Sequence, residues 1–386
     1  MKTFIFSSVH IWNDGRVFHR QATALAEHFD TELHAVADFD EKQVNGVRVS
    51  GLARWSGRLG RIGNILELVK RIFRSDADVF HFHDPELLLL CPLIKLFKRR
   101  PVIYDVHEHY PHCIMAKDYI PLKLRWATKI AYQISEWVLL SFVDAVFYTT
   151  QEVGSLYQQR FGSKAFEIVN LPPLELFGED PPQLEQRKKQ LVYLGYLTPP
   201  RGILQILAAF KKVSAQFSDY ELLLVGGFYC KKFESEVRGF IADNQLADKV
   251  SIKTEVGYDQ INHELLESRI GYVTYLTYDI HKTTLPNKLY EYLGAGLAII
   301  ASDFDNYRPV FVPDRTAILV EPESVDDLVE ATVRCISDAE TTQSMAARAR
   351  KSFEEIYHWE TAKPELIAAY RSILGLQPES CTLAAE

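Results

Sequence analysis

The chain of 386 residues has little to staple it: five cysteines, Cys91, Cys113, Cys230, Cys335 and Cys381, are scattered, odd in number and never spaced as CxxC. That usage fits a reducing compartment and argues against a structural zinc site. An excess of positive charge is also missing. The formal net charge is −8, which argues against nucleic acid as the main partner, because neutralising phosphates takes a surplus of Lys and Arg. No apolar run is long enough to span a bilayer. The longest, WVLLSFVDAVFYTT after Glu136, carries Asp144 near its middle and falls short of the roughly 20 residues required. The opening MKTFIFSSVHIW is interrupted by Ser7, Ser8 and His10, so it reads as a first buried strand rather than a signal peptide, and a cytoplasmic address is expected. Neither half has a G-x-G-x-x-G after its first strand, which discards an NAD-dependent dehydrogenase.

What is present is the composition of a packed soluble protein, 47% hydrophobic, 24% charged and 12% aromatic. A disordered, collagenous or coiled-coil chain is excluded, and the length calls for two domains. Charge divides unevenly: 21 Lys and Arg stand against 20 Asp and Glu through residue 175, and 22 against 31 beyond it. Residues 51–100 alone hold ten basic and five acidic side chains, enough for a local basic surface.

Short apolar, β-branched or aromatic runs recur with helical patterns between them: TFIFSSV, ELHAVA, DVFHFH, PVIYDV, DAVFYT and AFEIVN, then QLVYLG, ELLLVGG, KVSIKT, GYVTYL, LAIIAS and TAILVEP. Alternating β and α with strands apolar on both faces predicts an α/β protein with two parallel sheets. The expectation is two Rossmann-like doubly wound domains facing across a cleft, with ligands outside the carboxyl ends of the strands. Residues 170–189 hold four prolines without apolar periodicity and read as an interdomain linker. This places an N-terminal domain at 1–175, joined by a C-terminal helix at about 360–376, and a C-terminal domain at 176–359. That helix is expected to break at Pro364, with a frayed tail after it.

The strongest motif is LPNKLYEYLGAGLAIIASD, residues 285–303. Pro286 begins a helix, Glu291 sits one turn in, and Gly294 and Gly296 permit close backbone approach before the next strand. A carboxylate at such a helix start can accept two hydrogen bonds from a vicinal diol such as ribose; alternatively, Glu291 is a solvated helix residue. The stretch resembles the GT-B glycosyltransferases, specifically retaining family 4, whose C-terminal domain carries P-x-K-x-x-E-x-x-x-x-G before a strand. The resemblance implies that Glu291 binds the ribose hydroxyls of a nucleotide-sugar donor, with Asn287 and Lys288 near its phosphates or sugar. Where the family often has a second Glu eight residues earlier, this chain has Thr283. The HKTTLPN loop could substitute with backbone amides and the hydroxyls of Thr283 and Thr284.

A second motif, LVYLGYLTPPRGILQILAAF at residues 191–210, is a strand, a glycine turn and a helix entered through Arg201 and Gly202, a setting that favours anions. It is similar to the family's G-R-L followed by K-G, whose two cations hold the diphosphate; here they correspond to Tyr196 and Arg201. One cation is missing, so Arg201 carries the leaving-group charge nearly alone, or Arg16 supplies the second. Gly15 and Arg16, after the first strand, stand where the family's first loop approaches the diphosphate. ELLLVGGF, with Gly226 and Gly227, is similar to the family's nucleotide-contacting turn.

Histidines form a third signal. His107, with Glu108, His109 and His112, follows one strand, and His81 and His83, followed by Asp84 and Glu86, share one face of another. The resemblance gives His107 to the donor sugar and the HDPE stretch to a structural or acceptor-side turn. The same residues support a rival, a metal-dependent hydrolase built on the His81/His83 and His107/His109 clusters. Finally, residues 117–134 place Leu122, Trp126 and Ile130 on a helical stripe flanked by Lys123, Arg125 and Lys129, as in helices lying on anionic bilayers; a helix packed on its own sheet has such a stripe as well.

The expectation from the sequence is therefore a retaining, metal-independent glycosyltransferase needing no cofactor. It moves a sugar from a UDP- or GDP-linked donor to a hydroxyl of a glycan or lipid-linked acceptor in surface polysaccharide biosynthesis, with possible contact to an anionic membrane. His107, Arg201 and Glu291 are its catalytic residues, and Gly15, Arg16, Gly227, Thr283, Thr284, Asn287 and Lys288, with Glu291, bind the donor. A catalytically degenerate nucleotide-sugar-binding GT-B protein is the further alternative, given Thr283 and Tyr196.

Overall fold

The computed structural model describes residues 1–54, 60–106, 110–115, 121–178, 181–254, 258–282 and 284–377. The described chain divides into two compact units. One comprises Met1–Asn170 with the chain from Ala362 on, the other Leu171–Thr361.

The first unit is built on an eight-stranded sheet. Its strands are β1 (Lys2–Ile11), β2 (Asp30–Val36), β3 (Glu41–Val44), β4 (Val47–Leu52), β5 (Val79–Phe82), β6 (Val102–Val106), β7 (Ala145–Tyr148) and β8 (Ala165–Glu167). The order is β3-β4-β2-β1-β5-β6-β7-β8, parallel throughout except at the β3–β4 pair. Burial on both faces explains why β5, β6 and β7 are apolar apart from the buried His81 and Asp105. The sequence reading has no strand at β3 or β4. That hairpin is closed by Asn45 and Gly46, both at positive φ (49° and 78°), as a two-residue primed turn requires. Its outer strand EKQV lies almost wholly in solvent at the sheet edge, so hydrophobic pattern could not reveal it.

The second unit carries β9 (Gln190–Leu194), β10 (Glu221–Val225), β11 (Val250–Lys253), β12 (Ile270–Val273), β13 (Ala298–Ser302) and β14 (Ala317–Val320). All are parallel, in the order β11-β10-β9-β12-β13-β14. Its core joins Leu191, Tyr193, Leu222, Leu224, Tyr272 and Ile300 of the sheet to the covering helices.

The boundary between the units after Asn170 falls at the start of the stretch read as an interdomain linker, but its described part does not run free, since Leu171, Phe177 and Leu184 are buried. Arg187 donates to the carbonyls of Pro182 and Ser268, and Arg350 to that of Gly178. The prolines remove backbone donors while side-chain cations satisfy the carbonyls, so the segment is strapped onto the second unit. The terminal helix does not break at Pro364 either; it runs Trp359–Ile373. The carbonyl that Pro364 leaves without its usual helical donor belongs to Glu360, an exposed residue near the helix start, so the missing bond falls where the backbone is open to solvent. Further along this helix Tyr370 is fully buried in the first unit, and its hydroxyl is 2.7 Å from His81 Nδ1.

Candidate functional site

At the carboxyl end of β9 the chain turns through Gly195, whose φ is +122°. Gly226, ending β10 at φ +139°, lies so close that a Cβ there would fall on the Gly195 carbonyl. Only glycine allows this approach. The pair is locked by Gly195 N–H donating to the Val225 carbonyl and Leu197 N–H to that of Gly227. A Cβ on Gly227 would meet nothing nearer than the Tyr196 ring at 3.7 Å, so the second glycine is not sterically required.

Two cations converge on this turn. A Cβ built on Gly195 would stand 2.9 Å from Arg201 Nη1 and 3.3 Å from Lys288 Nζ. Arg201 leaves the short Pro199–Arg201 turn, lies over the Tyr275 ring at 5.5 Å and reaches the Tyr196 carbonyl only at 3.5 Å. Lys288 opens the Lys288–Gly294 helix. It is buried, its Nζ has no hydrogen-bond partner among the described residues, and it stands 3.6 Å from the centroid of the Tyr193 ring and 5.0 Å from that of Tyr275. Burial pulls the Lys288 ammonium well below its ordinary pKa, the Arg201 charge adds to this, and Glu291 opposes it. Neither cation makes an ion pair with a described carboxylate, a costly arrangement unless an anion completes it.

Glu291 lies one turn along that helix and is only 6% exposed, so it is not the solvated residue of the alternative reading. The helix is seated by Tyr292, whose hydroxyl accepts the Leu194 N–H at 2.8 Å. Asn287 and Thr284 are half-buried on the approach to it, and Thr283 lies outside the described residues.

Sequence reasoning missed the residues that shape this corner. Asn306 donates to the carbonyls of His281 and Thr284, pinning the loop before Asn287. His281 is buried against Tyr275, ring centroids 4.5 Å apart, and its Nδ1 lies 2.9 Å from the Leu276 carbonyl. That fixes the proton on Nδ1, and burial, reinforced by Arg201 and Lys288, lowers its pKa. The HKTTLPN stretch pointed at this loop, but Tyr193, Tyr275 and Asn306 come from other elements and carry no local signature.

In the first unit, Arg16 has a different task from the one expected. It is 6% exposed and pairs with Asp105 through Nε and Nη2, with Nη1 donating to the Ile168 carbonyl. The N–H groups of Arg16 and Val17 are taken by Asp14 Oδ1 at 2.8 and 2.9 Å. The turn containing Gly15 is thus capped from within, and Arg16 cannot lend its charge to a diphosphate without abandoning a buried carboxylate. A second carboxylate, Asp84, accepts from Ser7 Oγ and the Ser8 N–H at 2.8 and 2.6 Å. Beside it a cavity of ≈ 230 Å³ at the strand ends is lined by His10, Arg61, His83, Glu86 and Tyr110 among others.

His81, His83 and Asp105 are buried with candidate ligand atoms within 4.8 Å of one another. The set does not suit a divalent ion, because Asp105 already accepts from Arg16 and from Gln21 Nε2 at 2.6 Å, so the ion would have to displace a buried guanidinium. The metal-hydrolase reading finds no support here. His107 and His109 lie outside the described residues.

Comparison with known proteins bears on the family and the fold. Residues 15–173 match the family described as Glycosyltransferase Family 4 and residues 179–352 that described as Glycosyl transferases group 1. A phosphatidyl-myo-inositol mannosyltransferase of Mycolicibacterium smegmatis is 24% identical over 311 residues, 79% of this chain and 74% of that protein. One from Mycobacterium leprae is 21% identical over 306 residues, 78% and 74%. Among solved structures, sucrose-phosphate synthase from Thermosynechococcus elongatus has a TM-score of 0.77 at 15% identity, covering 97% of this chain and 99% of its own. Anabaena HepE in complex with UDP has 0.73 at 14%, covering 96% and 100%. Together the two family models span most of the sequence, and the chain belongs to the GT-B glycosyltransferases.

Proposed function

We propose that the protein transfers a sugar, with retention of anomeric configuration, from a nucleoside-diphosphate sugar to a hydroxyl of a glycan or lipid-linked acceptor. The carrying observation is the convergence of Arg201 and Lys288 on Gly195 without an ion pair to any described carboxylate. A diphosphate brought there gives each cation its missing partner, the Arg fork suiting two oxygens and the Lys one. Breaking the bond between the anomeric carbon and the diphosphate oxygen leaves negative charge on that oxygen, and the two cations stabilise it as it develops. The leaving group is neutralised by side chains, so the reading requires no metal. Glu291 holds the ribose hydroxyls, and Asn287, Thr284, Gly227 and Thr283 complete the donor contacts. His107 acts on the sugar.

The nucleotide is UDP or GDP. HepE was solved with UDP and with UDP-glucose, and the mycobacterial relatives are named mannosyltransferases acting on phosphatidyl-myo-inositol, which supports a hydroxyl on a lipid as the acceptor. Such an acceptor puts the enzyme at the cytoplasmic face of a membrane, in surface glycan assembly. A thermal-shift screen against UDP, GDP, ADP and their sugar conjugates, repeated with EDTA, tests the reading. One nucleotide family should raise the melting temperature regardless of EDTA, since saturation at a hundredfold excess over Kd adds about 2.7 kcal/mol. No response to any nucleotide would overturn it.

A further inference from the structure

The helix Leu122–Leu139 is inside out. None of its 18 residues is buried. The residues that come nearest, Arg125, Lys129, Tyr132, Glu136 and Leu139, form one stripe at helical spacing and turn toward the protein. Most of that inner stripe is polar and satisfied inwardly: Arg125 donates to the Met115 carbonyl, and Glu136 Oε1 accepts from the hydroxyls of Tyr132 and Tyr157 at 2.7 and 2.9 Å. The outer face is apolar. Leu122, Trp126, Ile130, Ile134, Trp137 and Val138 are all exposed, Trp137 at 69% and Leu122 at 61%. Neighbouring Leu89, on the Pro85–Leu90 turn against which the helix packs, is exposed as well. A surface helix ordinarily has the reverse arrangement, and contiguous exposed apolar surface of this extent marks an interaction site.

Charge identifies the partner. The helix carries Lys123, Arg125 and Lys129 against a single carboxylate, Glu136, which faces inward. Of the cations, Lys123 is exposed and Lys129, half-exposed, reaches the Trp126 ring at the margin of the outer face, whereas Arg125 is held inward. Both tryptophans pair with cations: Lys129 Nζ is 4.9 Å from the Trp126 ring centroid, and the Arg160 guanidinium 5.6 Å from that of Trp137. Tryptophan beside Lys and Arg on an otherwise aliphatic face suits the headgroup boundary of an anionic bilayer, where rings and long cationic side chains each find both apolar and polar surroundings. A protein partner would more often meet a face depleted of lysine. No described helix is long and apolar enough to cross a membrane, so this surface would lie on a bilayer rather than span it.

We propose that the outer face of the Leu122–Leu139 helix docks the protein onto anionic lipid. The inference deepens the lipid-acceptor part of the proposed function and rests on it only for its purpose, since docking itself can be measured without donor or acceptor. It is tested by co-sedimentation of the full chain with vesicles of phosphatidylcholine alone and of phosphatidylcholine with phosphatidylglycerol in equal parts. The protein should partition onto the anionic vesicles about tenfold more strongly, and added salt should weaken this. Ile130→Gln with Ile134→Gln should reduce partition about tenfold, and Lys123→Gln with Lys129→Gln should abolish the preference for anionic lipid. These side chains are outward or half-exposed, so melting temperature and the melting shift produced by nucleotide should stay at wild-type values. Failure to bind vesicles, or full binding by the Ile130/Ile134 variant, overturns the proposal. So does a concentration-dependent dimer in sedimentation velocity that this variant dissolves, which would assign the face to a second copy of the chain. A missing nucleotide response alongside intact vesicle binding would remove the donor reading and leave the docking surface standing.

Discussion

The ammonium of Lys288 stands 3.6 Å from the centroid of the Tyr193 ring, buried and without a hydrogen-bond partner among the described residues. The ring's negative face compensates part of the lost hydration; on the proposed function an incoming anion supplies the rest. Arg201 approaches the same turn at Gly195, so two basic side chains meet inside an aromatic wall with no ion pair to a described carboxylate.

Removing the Arg201 cation, or the Glu291 carboxylate proposed to hold the ribose, should be felt first in donor binding. Arg201→Ala and Glu291→Ala are each expected to lower donor affinity or turnover at least tenfold, about 1.4 kcal/mol or more. Steady-state kinetics with the cognate nucleotide sugar provides the check, and wild-type parameters in either variant contradict the assignment.

Proton linkage gives Lys288 its own signature. Burial, then the Arg201 charge, depress its folded-state pKa, while a bound diphosphate raises it again. Binding thus takes up a proton, and donor affinity should fall as pH rises through the range between the free and bound pKa values. Titration calorimetry in buffers of different ionisation enthalpy would register the uptake; a nucleotide sugar is the right ligand because its diphosphate lacks a terminal phosphate that titrates nearby. Lys288→Met should bind more weakly and without proton uptake.

The two glycines after β10 should part company. Gly226→Ala puts a Cβ against the Gly195 carbonyl at φ +139° and should cost about 1–3 kcal/mol of stability in urea unfolding. Gly227→Ala meets only ordinary contact and should stay within about 0.5 kcal/mol, any loss appearing in nucleotide binding instead.

Arg16 should behave as structure. Arg16→Ala leaves Asp105 buried and charged, a loss on the order of 3–5 kcal/mol, and nucleotide affinity at any temperature where the variant is folded should be little changed. Loss of donor affinity in a stably folded Arg16 variant would restore the phosphate role expected from its sequence position.

Much of the architecture was legible because strands buried on both faces are predominantly apolar: VFHF, VIYDV and AVFY stand in the sheet as their composition predicts, with His81 and Asp105 the polar exceptions. Of the missed hairpin, β4 does show buried Val47, Val49 and Leu52, but its partner has no apolar pattern to show. The Glu41–Val44 edge strand is polar and solvated, although Asn45–Gly46 was a readable turn signal. The strap after Asn170 is held by Arg187 and Arg350, whose partners are distant in sequence. At the site, Arg201, Lys288 and Glu291 were visible through their motifs. Tyr193, Tyr275 and Asn306 were not, since they belong to the site only after β9, β12 and β13 have been laid side by side with the segments that follow them. The same limit explains Arg16: the sequence places it after β1, but only the fold brings Asp105 of β6 against it. Likewise the apolar stripe at Leu122, Trp126 and Ile130 is evident in the sequence, whereas its direction, outward, is a property of the packed unit.

The most direct test of the central claim is titration calorimetry of UDP- and GDP-sugars into the wild-type protein and the Lys288→Met and Arg201→Ala variants. The account predicts saturable binding of one nucleotide family to the wild type with proton uptake, weakened at least tenfold in both variants and free of proton uptake in Lys288→Met. Absence of binding to the wild type, or equal affinity in the variants, would show that the cation pair at Gly195 is not a diphosphate site.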